Sequence, residues 1–265
     1  IRETKNLKKI LKEVDVIIHC ASKVHEQGIF QKKSDYFSIN TEATINLAKA
    51  SIKAGVKRFI FLSTIKVNGE KTENIPFTNR SKEAPIGAYA LSKYLAEENL
   101  IKLSKKYPSM DIVIIRPPLV YGPGVKANFY KLFKIINSRF YLPFKKVPNK
   151  RSFIFIENLV DFIILCCKSR KVSNQKFLIS DIDPISSTKL IKLIYKAIGK
   201  KERLFYLPKN LLYILNKFLF GALSKILVSL EIDTSESLEI TKWKPNYSSE
   251  EGIIITANWF MRENK

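Results

Sequence analysis

Histidine is nearly missing from this chain: its 265 residues hold two, His19 and His25. Cysteine is hardly commoner, with Cys20, Cys166 and Cys167. So few dispersed ligands exclude a metal site with recognisable spacing. Cys166 and Cys167 are neighbours and cannot easily bridge each other, so a disulfide scaffold is excluded and a reduced, cytosolic compartment is expected. The three cysteines are read as buried small hydrophobes, His19 as a structural strand-end residue and His25 as a plain loop residue.

Acidic residues are also scarce, 24 against 46 lysines and arginines, for a formal charge of +22 and a pI near 9.8. The lysines are scattered among Ile and Asn, with no Arg-rich tract and no basic run interleaved with aromatics. Nucleic-acid binding is therefore not expected, whereas an anionic small molecule such as a nucleotide suits the charge. Long hydrophobic runs are lacking too. Leu159–Cys167 is short and carries Asp161, and Leu211–Leu230 is interrupted by Asn216, Lys217 and Lys225, so no integral span is expected. No signal peptide is visible. With 46% hydrophobic residues the chain is an ordinary globular one, long enough for one large or two small domains.

What is present has a rhythm. Val16–Cys20, Arg58–Ser63 and Asp111–Arg116 are short, apolar, β-branched-rich runs that read as buried parallel strands. Between them, 40–54 reads as a helix stopped by Gly55, and 89–106 as a second helix with Pro108 after it. Strand–helix–strand–helix–strand predicts an α/β fold with a doubly wound parallel sheet. Beyond Gly124 the rhythm changes: helices at 128–137, 157–168, 187–198 (with Ser187 as N-cap) and 248–261, and a strand at 176–180. Residues 208–230 read as a long basic and apolar helical region, taken as a wall of a second domain in preference to a membrane-surface helix.

Tyr89 and Lys93 stand four apart at a helix start, on one face. A phenol is a poor base at neutral pH, and a neighbouring ammonium is expected to lower its pKa, so that the pair trades a proton with a substrate oxygen. Ser63 and Thr64 end a buried strand, where parallel sheets hold ligands, and both hydroxyls are expected to face the same crevice. Taken alone, the Tyr/Lys pair is also what a solvated helix face shows, and Ser63-Thr64 what a strand-end cap shows.

Thr64, Tyr89 and Lys93 in this order resemble the triad of the extended short-chain dehydrogenases/reductases, the NAD-dependent epimerase/dehydratase group. His19-Cys-Ala-Ser22, Phe61–Gly69, Arg116-Pro-Pro-Leu-Val-Tyr-Gly-Pro-Gly124, Arg151-Ser-Phe-Ile with Glu157–Asp161, and Leu238–Gly252 with Trp243-Lys-Pro245 resemble further family segments. The resemblance implies a Rossmann-type sheet with a smaller mixed α/β substrate domain. Residues 1–124 form the nucleotide domain, 151–182 return to it, and 125–150 with 183–265 form the substrate domain. It implies NAD or NADP held by His19, Ala21, Ser22, Asn40, Ser63, Tyr89, Lys93, Pro117 and Val120. Thr64, Lys66, Asn128 and Arg151 hold a nucleotide-sugar, Arg151 and Asn128 at its diphosphate. Lys66 and Lys126 read more readily as solvated lysines than as ligands, Asn128 reads as well as a helix N-cap, and Arg151 less readily as a surface ion-pair residue. A homodimer through helices 40–54 and 89–106 is implied as well.

One departure is marked. The family opens with a strand, a glycine-rich turn and a helix whose N-terminus holds the pyrophosphate, and nothing of that kind is present; Gly122-Pro-Gly124 lies too late and follows the wrong strand. Together with a first residue that is Ile, this predicts a chain lacking its first strands, N-terminally truncated and, by itself, a poor binder of dinucleotide and inactive. A second departure concerns the reaction. Dehydratases of the group follow the catalytic Thr with Asp-Glu, and here Ile65-Lys66 stand instead. The resemblance therefore favours 4-epimerisation or 4-keto reduction of a UDP-N-acetylhexosamine or 4-keto-6-deoxy sugar for surface polysaccharide. A hydroxysteroid-type dehydrogenase of the same fold, or a non-catalytic cofactor-binding protein, is the alternative.

Overall fold

The computed structural model describes residues 7–24, 32–218 and 223–264; His25 lies outside them. Four strands, β1 (Val16–His19), β2 (Arg58–Leu62), β3 (Asp111–Arg116) and β6 (Lys176–Leu178), form a parallel sheet in the order β1-β2-β3-β6. In register, Ile18 lies beside Ile60 and Phe61 beside Ile114. Side chains of a strand alternate between faces, and here both faces are covered. Phe59, Phe61, Ile112 and Ile114 pack against Leu47 and Ala48 of α3 (Ala43–Ala54) and Ala96 and Leu100 of α4 (Gly87–Lys106). Ile60, Val113 and Ile115 pack against Phe162 and Cys166 of α6 (Ile156–Lys168) and against Trp243. The sheet is thus doubly wound. Strands β2 and β3 carry continuous apolar runs because they are buried on both faces, whereas Ile18 of the edge strand β1 is exposed.

Around this frame, α1 (Leu7–Ile10) and α2 (Lys33–Tyr36) are single turns. The helix expected to begin at Asn40 is entered through a π-helical stretch, Phe37–Glu42. Its end is as expected: Gly55 takes φ +81°, and its N–H reaches Ile52 O at 3.1 Å. Two short strands escaped the sequence reading, β4 (Leu119–Tyr121) and β5 (Phe153–Phe155), which pair with each other in parallel. Three residues are too few to show a period.

The second core is aromatic. Phe129 and Phe133 of α5 (Ala127–Asn137), Phe260 of α11 (Ser249–Glu263), Tyr121, Phe153 and Phe155 gather with Ile191 and Ile194 of α7 (Ser187–Ala197). The α7 cap is Ser186, not Ser187; its side chain accepts the Lys189 N–H at 3.0 Å. Of the long helix expected over 208–230, the described residues show α8 (Lys209–Phe218) and the single turn α9 (Ser224–Leu227), after which Val228 is extended; 219–222 lie outside them. A further short helix, α10 (Ser235–Thr241), precedes Trp243. Cys166 is buried, but Cys20 is exposed: it follows the last residue of β1, where the chain leaves the sheet. Among the described residues no helix is long and apolar enough to cross a membrane.

Candidate active site

The site forms where β1 and β2 end and α4 begins. The Tyr89 hydroxyl meets the side chains of Thr64 and Ser22. One turn below, buried Lys93 donates to the carbonyl of Leu62 at 2.7 Å and lies 4.3 Å over the Phe61 ring. Only one of its three donors is engaged by that carbonyl. With the Tyr89 hydroxyl, the others suit a pair of neighbouring hydroxyls such as a ribose presents.

The expectation that Lys93 acidifies Tyr89 is not met. Burial pushes the phenol above its ordinary value, against the pull of its hydrogen bonds with Thr64 and Ser22. Burial likewise lowers Lys93 to about 8, opposed by the Glu97 carboxylate. In this geometry the ammonium turns to the strand carbonyl, so Tyr89 is a neutral donor.

Asn40 holds this corner together. Its Oδ1 accepts from the Lys23 N–H at 2.7 Å and from the Ser22 hydroxyl at 3.2 Å. Its Nδ2 donates to Lys23 O and to Ser92 Oγ, both at 3.0 Å. The π-helical turn carries Asn40 inward, where it is fully buried. Ser92, between Tyr89 and Lys93 on α4, is thereby tied to the loop after β1; the sequence reading did not single it out.

Ser63 and Thr64 do not share a crevice. Adjacent residues of an extended chain point to opposite sides. Thr64 faces Tyr89, whereas Ser63 donates to the buried carboxylate of Glu97. His19 is also turned inward: its ring packs against Phe59 and Phe61, and Nε2 lies 2.8 Å from Thr44 Oγ1. Burial, then Lys93, lowers it to about 4. Ala21 is exposed beside Ser22. Pro117 is buried, and its carbonyl accepts the Ile65 N–H at 2.9 Å; Val120 pairs with Ile154 in β4–β5 and packs into the sheet's second face.

A second group of expected site residues lines a cavity. Asn128 and Arg151 line one cavity of about 490 Å³ with Lys131, Lys225 and apolar side chains including Phe129, Phe153 and Ile191. Asn128 sits inside α5, whose N-cap is Lys126, so it is not a cap. Arg151 is anchored by a 3.0 Å bond from Nη1 to Val228 O. Asn149 braces the same wall, donating to Ile226 O at 2.9 Å and Val228 O at 3.1 Å. Burial lowers Lys225, and the neighbouring charges of Lys66 and Arg151 lower it further. Lys66 itself pairs with Glu70 at 3.1 Å. These cations stand close together, Arg151 and Lys225 in the cavity wall and Lys66 two residues after Thr64. Lys225 joins them only because the chain returns here from a distant position, and no local pattern marks it; Asn149 stands two residues before Arg151, in the segment Asn149-Lys-Arg-Ser152.

Comparison with known proteins gives four findings of one kind. The family model described as "NAD dependent epimerase/dehydratase family" matches residues 1–180. The chain is 40% identical over 263 residues to UDP-glucose 4-epimerase of Vibrio cholerae, covering 96% of this chain and 79% of that protein. It is 28% identical to N-acetyl-alpha-D-glucosaminyl-diphospho-ditrans,octacis-undecaprenol 4-epimerase of Escherichia coli O157:H7, covering 85% and 67%. Its fold matches the crystal structure of UDP-glucuronic acid 4-epimerase from Bacillus cereus in complex with NAD. The TM-score is 0.80 at 20% identity, covering 100% of this chain and 80% of that one.

Proposed function

The chain belongs to the NAD dependent epimerase/dehydratase family, and from that premise we propose that it works with NAD or NADP at C4 of a UDP-sugar, as a 4-epimerase or 4-keto reductase. The observation that carries this reading is the meeting of Tyr89 with Thr64 and Ser22, one helical turn from Lys93. The names of the Vibrio and Escherichia relatives have a sugar diphosphate in common. That shared part is what Arg151, Lys225 and Asn128 suit, since a guanidinium offers a fork of donors to phosphate oxygens. The finer assignment is a UDP-N-acetylhexosamine or 4-keto-6-deoxy sugar destined for surface polysaccharide. The work takes place in the cytoplasm, in keeping with three free cysteines, and in a homodimer paired through α3 and α4.

In this reading Thr64 donates a hydrogen bond to the C4 oxygen and holds the sugar against Tyr89. As the 4-keto sugar is reduced, neutral Tyr89 gives its proton to the C4 oxygen and is left as the phenolate; in the reverse direction that phenolate takes the C4 hydroxyl proton as the carbon is oxidised, and the neutral phenol is restored. A bound nicotinamide would accept and return the hydride. Lys93 holds the ribose and, once charge develops on the phenol oxygen, offsets it. The free donors of Lys93 fit the ribose end of the cofactor, while no glycine-rich turn for the pyrophosphate stands in this sequence. Epimerisation then requires the keto sugar to turn over before reduction, with no net consumption of cofactor.

The test is a product assay by NMR with UDP-glucose, UDP-N-acetylglucosamine and their 4-keto forms, with NAD(P) added. The chain is used as it stands and preceded by a glycine-rich strand–turn–helix. Inversion at C4 without net cofactor turnover identifies the epimerase, and consumption of reduced cofactor with a 4-keto sugar identifies the reductase. Absence of both in the extended protein, with its fold intact, rejects the reading.

A further inference from the structure

α8 fully buries only Leu212, while Leu211, Tyr213, Ile214 and Phe218 are exposed, Phe218 by 77%. The apolar surface does not stop there. Phe205 N–H donates to Leu142 O at 3.0 Å, and Lys145 N–H to Phe205 O at 3.1 Å, so the segments around 142 and 205 run side by side. They expose four more aromatic rings, Phe140, Tyr141, Phe205 and Tyr206, and Pro208 leads from them straight into α8. Exposed large apolar residues so grouped mark an interaction surface.

Charge decides the partner. Residues 139–146 and 200–218 carry eight lysines and arginines against one carboxylate, Glu202, which lies 3.7 Å from Lys192. A second copy meeting this face across a two-fold axis would set the same cations against each other. A surface dense in negative charge and apolar just beneath meets both features. An amphipathic helix with lysines at its polar edge and aromatic and aliphatic groups on the other side is built to lie in a lipid interface. We propose that α8 and the adjoining aromatic turns dock this chain onto an anionic bilayer as a peripheral protein.

The consequence reaches the site. Asn216 near the end of α8 accepts the Leu223 N–H at 2.9 Å through Oδ1, and Leu223–Ile226 form a wall of the cavity that holds Arg151. The docked face is therefore joined directly to the cationic cavity. This inference stands on the surface alone and does not depend on the reaction proposed above.

Sedimentation of the chain with vesicles of phosphatidylglycerol, and separately of phosphatidylcholine, tests it. Binding to the anionic vesicles that weakens as salt is raised is expected. Ile214→Glu with Phe218→Glu, and separately Lys209→Glu with Lys217→Glu, should each lower that affinity about tenfold or more with an unchanged circular dichroism spectrum. Absence of vesicle binding, equal binding to both lipids, or binding indifferent to both pairs of substitutions overturns the proposal. So does analytical ultracentrifugation showing a dimer that the same substitutions dissociate while vesicles stay unbound.

Discussion

Arg116 closes on Glu97 in the interior: its Nε donates to both carboxylate oxygens at 3.0 Å, and both side chains are 1% exposed. Glu97 lies four residues after Lys93 on α4 and also takes the Ser63 hydroxyl. Arg116 ends β3 and reaches Asn68 and Glu83, each at 3.0 Å. The pair thus ties the helix bearing Tyr89 and Lys93 to the strand ends that flank Thr64 and Pro117.

Removing one partner of a buried pair leaves the other charge unpaired. Glu97→Ala should therefore cost about 3–5 kcal/mol of stability. Glu97→Leu with Arg116→Met, which removes both charges, should cost less than the single change. Urea unfolding of the three proteins measures this, and a single variant within about 0.5 kcal/mol of the parent would show that the pair is not a structural tie.

Tyr89→Phe removes the proton donor while keeping the ring that packs edge-on to Tyr36. Turnover should fall about a hundredfold or more in the active, cofactor-loaded protein, with melting temperature and cofactor affinity little changed. Thr64→Val should lower turnover less, since it deletes one hydrogen bond to the reacting oxygen. Unchanged turnover in Tyr89→Phe would remove Tyr89 from the chemistry.

His19 sets a pH limit. Folding favours its neutral ring, with a value lowered from 6.5 to about 4. Its contribution is therefore whole above pH 6.5, shrinks as pH falls, and is lost below about 4, a difference of about 3 kcal/mol. His19→Gln should flatten the fall in melting temperature between pH 6.5 and 4. A parallel fall in both proteins would assign the acid sensitivity elsewhere.

Arg151→Ala should weaken UDP binding by about tenfold or more and leave NAD(P) binding unchanged. Calorimetric titration with UDP separates the two. Because Arg151 also holds Val228 O, Arg151→Lys is the control: it keeps the charge but lacks the planar fork, and should recover only part of the affinity.

The apolar runs at 16–20, 58–63 and 111–116, with the helix stops between them, were enough to foresee a parallel sheet wrapped on both faces. Buried strands and helix ends leave local marks that no distant residue alters. Tyr89 and Lys93 were legible for the same reason, being one turn apart on one helix, and Thr64 because it closes an apolar strand. Other features depended on contacts between remote segments. Ser63 turned away to Glu97, the Lys93 ammonium bound a strand carbonyl in place of acidifying the phenol, and Lys225 arrived beside Arg151 from more than seventy positions away. Burial and charge pairing act through space, so where a side chain points, and what its proton costs, was decided only when the chain had closed around it.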